Sequence, residues 1–407
     1  MRLPLFHRRP GAAPVEAKAS RTAALVAFES RGRPAWTPRD YGALAREGYA
    51  RNAIVYRSVR MIAEAAASVP WLLYEGADER DAHPLLDLLA KPNRRQTGTE
   101  LREAIAGHLL VAGNAYVEAV AVDGRVRELH ALRPDRMKVV PGPDGWPEAY
   151  EYTVAGRTVR YADPGEGGLA PILQLALFHP LNDHYGFAPV EAAQVALDLH
   201  NAAGAWNKAL LDNSARPSGA LVYQTKEGGN LSAEQFERLK AELETSFIGA
   251  AHAGRPLLLE GGLDWKAMGL TPKDMDFLEA KNGAAREIAL AFGVPPMLLG
   301  IPGDNTYSNY REANLAFWRG TVLPLVGRIA AALGGWLGPA FGDGRGAGAG
   351  AGGGLRLWYD ADQVDALSAE REAAWARVEK ATFLTVNEKR AAVGYGPVAG
   401  GDGPGEG

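Results

Sequence analysis

The stretch Ala291-Phe-Gly-Val-Pro-Pro-Met-Leu-Leu-Gly300, with the segments on either side, constrains this chain more than any other feature. Apolar residues recur at helical spacing up to Phe292; Gly293 then offers a left-handed terminator and Pro295-Pro296 forbid continuation. Asp304-Asn-Thr-Tyr-Ser-Asn309 follows, and Asn309 with Glu312 predicts the cap of another long helix ending near Leu337. Two strong helices therefore flank a short polar loop. The loop has no nucleophile beside a base and no ligand cluster, which fits transient contact better than bond chemistry.

Composition narrows the classes. A chain of 407 residues with 47% hydrophobic content can bury a sizeable core in roughly two or three domains. The net charge of −4 lacks the basic footprint of a conventional nucleic-acid binder. It still suits a protein past which DNA slides, because each strong phosphate contact acts as a brake. With no cysteine, disulfides, thiolate metal sites and thiol catalysis are excluded. No Walker A pattern is present, so ATP hydrolysis is not expected. Thr321–Phe341 has the length and apolarity of a membrane span, but Arg328, Pro324, Gly334 and Gly335 favour a buried helix, and no membrane partner is expected.

Along the chain, residues 1–50 read as a flexible arm rich in arginine and proline. Ile54, Val55, Val59, Ile62, Ala63 and Ala66 form a helical stripe, Trp71–Tyr74 a strand, and His83–Asn93 a short helix ended by Pro92. Thr97 with Glu100 makes a capping box for a helix closed by Gly113. Ala115–Val122 precedes the hairpin signal Asp123-Gly124, and Tyr150–Val154, Arg157–Tyr161 and Ile172–Leu177 are further strands. Pro189 opens a long helix with the stripe Ala192, Ala196, Leu199, Ala203, Trp206 and Leu210. A small α/β lobe at 214–270 contains a helix from Ser232 to about Phe247 and a strand Pro256–Glu260. Thr271-Pro272 opens the next helix, with Leu278, Ala285, Ile288 and Phe292 as its apolar face. A Gly-rich linker at 342–354, a helical end with a helix from Ser368 to Ala381 and then a capping box of Thr385 with Glu388, and a disordered tail at 398–407 complete the α+β chain.

Two places carry polar clusters. His179, Asp183 and His184 read as a turn, since Pro180 breaks the spacing a metal pair needs. No metal site and no cofactor is expected. Asn305, Thr306, Tyr307, Ser308 and Asn309 can hydrogen-bond phosphate oxygens without positive charge. On chemistry alone this loop reads equally as an ordinary connection whose polar residues cap a helix.

A series of motifs then adds to this reading. His83-Pro-Leu-Leu86 with Lys91-Pro-Asn93, Leu110-Val-Ala-Gly-Asn-Ala-Tyr116, Tyr185-Gly-Phe-Ala-Pro-Val190 and Asn213-Ser-Ala-Arg-Pro-Ser-Gly219 come first. Leu259-Glu-Gly-Gly262, Phe292–Gly300, Thr306-Tyr-Ser-Asn309 and Leu384-Thr-Val-Asn-Glu388 with Arg390 follow in the same order. Together they resemble the HK97-like portal proteins of tailed bacteriophages, a family that includes portals of gene transfer agents.

The resemblance implies a portal fold: an α+β wing at 51–187, stem helices at 188–213 and 271–294, and an inserted clip at 214–270. It further implies a tunnel loop region at 295–308, a spine helix with part of the wing at 309–341, and a crown at 355–397. Asn305 to Asn309 would face DNA. The implied function is a non-enzymatic ring, commonly a dodecamer, at one capsid vertex, through which double-stranded DNA is packaged and ejected without sequence preference. Implied partners are the large terminase ATPase, the major capsid protein and a head-tail adaptor, in a virion assembled in the bacterial cytoplasm. The other classes are an enzyme with an unrecognised site and a membrane pore.

Overall fold

The computed structural model describes residues 36–76, 78–165, 168–212, 219–223, 263–267, 277–303, 307–342, 354–396 and 398–403, with four isolated positions between 232 and 238. Thr37–Gly407 is one compact unit. The arm expected over 1–50 is shorter than its sequence implies. Residues 1–35 lie outside the described residues, but Asp40 caps α1 (Tyr41–Leu44), which runs on through a π turn at Ala45–Ala50. Thr37 N donates to Asp198 Oδ2 at 3.0 Å, and Arg39 Nε to Gln194 Oε1 at 2.8 Å. The Gln194 side chain bonds the Thr37 carbonyl. These partners are far apart in sequence, so no local pattern announces them.

Next comes the α+β region expected to be the wing. Asn52 accepts from Ile54 N and Val55 N at 3.0 and 3.2 Å and starts α2 (Ala53–Ser68). Its expected stripe is buried at Val55, Val59, Ile62, Ala63 and Ala66. β1 (Trp71–Glu75), β2 (Asp78–Glu79) and α3 (Pro84–Ala90) lead to α4 (Gly98–Ala112). The capping box forms: Glu100 N donates to Thr97 Oγ1 at 3.3 Å, and Thr97 N to Glu100 Oε2 at 2.7 Å. α4 stops at Gly113, whose φ is 69° and whose missing side chain lets the backbone of Gly186 approach.

β3 (Asn114–Val122) and β4 (Arg125–Leu132) join through Asp123 and Gly124, both at positive φ, as a type I′ hairpin requires. β5 (Met137–Pro141), β6 (Pro147–Val154) and β7 (Arg157–Ala162) make a separate antiparallel sheet; β5 is an addition to the expected strands. β8 (Ile172–Ala176) returns to pair with β3, giving the order β4-β3-β8.

The helix expected to be the first stem segment begins differently from its pattern. The helix expected to run unbroken from Pro189 is α5 (Pro189–Ala192), a kink at Ala193, and α6 (Gln194–Asp212). Ala193, Ala196, Leu197 and Ala203 are buried, whereas Ala192 is exposed and Leu199 is 48% exposed, so the expected stripe is corrected. β9 (Gly219–Tyr223) and β10 (Leu263–Ala267) pair antiparallel at the two ends of the 214–270 insert. The expected helix after Ser232, the strand Pro256–Glu260 and the Thr271-Pro272 start lie outside the described residues, apart from isolated positions. α7 (Phe277–Ala291) packs on α6 through Ala284, Ile288 and their neighbours, while Leu278 is 73% exposed and leaves the expected face.

α8 (Tyr307–Phe317), a π turn (Trp318–Val322) and α9 (Leu323–Phe341) form one helix. It starts two residues before the expected cap at Asn309 and continues past Leu337, because asparagine is tolerated inside a first turn and Pro339 falls near the end, where few bonds remain to lose. Asn309–Phe341 is long and apolar enough to cross a membrane by length and composition. In the fold, its Val326, Ile329, Ala330, Leu333 and Leu337 are buried, and α9 packs on β11 (Leu355–Tyr359), β8 and α2. Trp336 Nε1 donates to the Ala170 carbonyl at 2.8 Å.

β11 pairs antiparallel with β1, Leu73 opposite Leu357, and so completes the sheet of order β11-β1-β2. The strand is an addition to the expected elements, while the helix expected from Ser368 to Ala381 forms as α10 (Ser368–Glu379) and the Thr385–Glu388 capping box opens α11 (Val386–Ala392). The Gly-rich linker lies outside the described residues except for its ends. The expected disordered tail is also corrected at 398–403. Asn387 Nδ2 donates to Val398 O at 3.1 Å and Asp402 Oδ1 at 2.8 Å, and Val398 N donates to Asn387 Oδ1 at 2.8 Å. One buried asparagine thus folds the chain back on α11.

Candidate nucleic-acid interface

The polar loop sits between α7 and α8, and its approach is built stepwise from the end of α7. Val294 N donates to Ala289 O at 2.9 Å and Gly293 N to Leu290 O at 3.0 Å, the paired bonds of a Schellman ending. Gly293 takes φ 66°. Pro295 then leads into a 3-10 turn over Pro296–Leu299, closed by Gly300 at φ 73°. Ile301, 4% exposed, drops back onto Ala285 and Ala289 of α7, with Ile54 and Leu299 beside it. The Arg286 side chain bonds the Pro302 carbonyl.

Of the expected site residues, Asn305 and Thr306 lie outside the described residues. Tyr307, Ser308 and Asn309 belong to the first turn of α8, with Asn309 exposed and Tyr310 half-exposed beyond it. The three are therefore in a first helical turn, where backbone N–H groups lack intrahelical partners. Among the described residues on either side, the Arg286 side chain bonds the Pro302 carbonyl and Arg311 lies 3.8 Å from Glu312. On the stem, Asn52 Nδ2 lies 3.0 Å from His200 Nδ1, and burial, assisted by Lys281, lowers the His200 pKa. The described surroundings of the loop thus offer hydrogen bonding with little net charge.

His179, Asp183 and His184 form the expected turn. His179 Nδ1 accepts from Leu181 N at 3.0 Å, and Asn182 Oδ1 accepts from His184 N and Tyr185 N at 2.9 and 3.0 Å. Among the described residues no group of three or more His, Cys, Asp or Glu side chains could hold a metal ion. The supports of the loop, Arg286, Ile301 and Thr321, were not legible in the sequence. Arg286 shows there only as part of a polar helix face, and Thr321 Oγ1, which donates to Gly293 O at 2.6 Å, comes from the following helix.

The described residues thus form a mixed α+β region, a helix pair (α6 and α7) on either side of an insert, and one long helix (α8–α9) after the Gly293 stop. The sequence model of the phage portal protein family matches residues 53–394, and the chain belongs to that family. It is 42% identical to a protein of Rickettsia bellii over 358 residues, covering 88% of this chain and 90% of that one. It is 27% identical to the portal protein of Enterobacteria phage HK97 over 366 residues, 86% and 80% of the two chains. A solved chain from the neck of a native gene transfer agent particle, computed with C12 symmetry, superposes with a TM-score of 0.66. That chain is 54% identical, with 90% of this chain and 96% of that one covered. The protein is a phage-type portal protein, and its family is structural rather than catalytic.

Proposed function

We propose that twelve copies of this chain close into a ring at one vertex of a phage-type or gene transfer agent particle, forming the channel for double-stranded DNA. The observation that carries this reading is the 54% identity, over 90% of the chain, to the neck subunit computed with C12 symmetry. A closed ring uses a head-to-tail interface, so each subunit presents two different surfaces. The wing would meet the major capsid protein. The 214–270 clip would dock the large terminase ATPase during packaging and the head-tail adaptor afterwards. The ring would do no chemistry and need no cofactor, leaving ATP hydrolysis to the terminase.

The loop around Asn305, Thr306, Tyr307, Ser308 and Asn309 would touch the phosphate backbone. Uncharged donors make contacts that hold register without reading sequence, and they break readily as DNA advances. Replacing Thr306, Tyr307 and Ser308 with glycine tests this reading. Rings should assemble normally while DNA content per particle falls; full particles at normal yield would contradict it.

A further inference from the structure

The spine helix changes its repeat at a chosen place. Phe317 and Val322 are both buried, at 2% and 0% exposure, yet they lie five positions apart. In an uninterrupted α-helix, the position four residues after Phe317 shares its face, and that residue is Thr321. The π turn Trp318–Val322 absorbs one extra residue and gives the core position to Val322. Thr321 is thereby moved aside, over the end of α7, where its hydroxyl donates to Gly293 O at 2.6 Å.

Gly293 is fitted to this contact twice over. Its φ of 66° disfavours a side chain, and a Cβ there would lie 2.7 Å from Thr321 Oγ1. The same carbonyl belongs to the residue that turns the chain out of α7 toward Pro295. Ten residues on, Arg286 bonds Pro302 O, and a Cβ on Gly303 would strike its guanidinium. The segment Val294–Gly303 is thus fastened at both ends, by the spine at one and by the stem at the other.

We infer that Thr321 is a positioning residue: presented by the π turn, it latches Val294–Gly303 and so sets where the loop after Gly303 begins. This inference rests on the reading of that loop as DNA-facing, but the latch has its own readout. Hydrogen exchange would be measured on the assembled full-length protein, comparing Thr321→Val, which keeps volume but loses the donor, with Thr321→Ser, which restores it. Losing one neutral hydrogen bond should speed exchange across 294–303 by about three- to tenfold in Thr321→Val. Thr321→Ser should stay near wild type, and the α4 peptides should be unchanged in both. Unaltered exchange at 294–303 in Thr321→Val would overturn the latch, as would equal acceleration across the wing, which marks general destabilisation. DNA content of Thr321→Val particles separates the two readings. A loosened segment with normal DNA content supports the latch and removes the loop from DNA retention.

Discussion

The α+β region at 51–187, the proposed wing, and the C-terminal helical module of α10 and α11 are held by different forces. In the wing, Leu101, Ile105 and Leu109 of α4 are buried against α2 and the sheet, and the spine adds Val326, Ile329 and Leu333 to the same core. In the module, α10 buries no residue at all, and the chain is fixed by the Asn387 clamp and the 2.6 Å pair between Arg319 and Glu370. Apolar burial is non-directional and cooperative, whereas a few polar contacts act locally. The wing should therefore unfold as a block, and the module should open by itself.

The largest way to break this contrast is in the wing. Leu109→Ala should cost about 2–5 kcal/mol of global stability, read as a shifted denaturant midpoint, because it leaves a cavity in a packed core. A change below 1 kcal/mol would show that α4 is not central to the core.

Second comes pH. Burial, opposed by Asp135 and assisted by Arg133, holds the His108 pKa down to about 4. Between the ordinary histidine value and about 4, the unfolded chain binds more protons, so stability falls as pH drops through that window. The slope should approach 1.4 kcal/mol per pH unit, and His108→Gln should flatten it.

Third, Asn387→Ala should release 398–403 with a local loss of roughly 1–3 kcal/mol, seen as faster proteolysis there and an unchanged wing midpoint. The smallest effect belongs to Arg319→Met. It removes a surface pair worth up to about 1 kcal/mol, and its loss should be matched in wild type by raising salt. A wing midpoint that moved with it would mean that the two regions are coupled.

What was legible in the sequence is what is decided within a few residues. Thr97 with Glu100, Thr385 with Glu388, Asp123-Gly124 and the glycines at 113 and 293 each act on their own turn, and each takes the expected conformation. What escaped depends on partners elsewhere in the chain. β11 joins β1 from the opposite end of the fold, and Gln194 reaches Thr37 at a kink that no local breaker marks. For the candidate site, the helix stop at Gly293 could be read directly. Its supports could not, because Thr321 acquires its role through a π turn that changes which residue faces the core.

Cryo-electron microscopy of the purified full-length protein is decisive for the portal ring. The expected images are rings with a central channel and twelve subunits, in which α7 and the segment after it line the lumen. A uniform population of monomers, or rings with this segment turned to the outside, would contradict it.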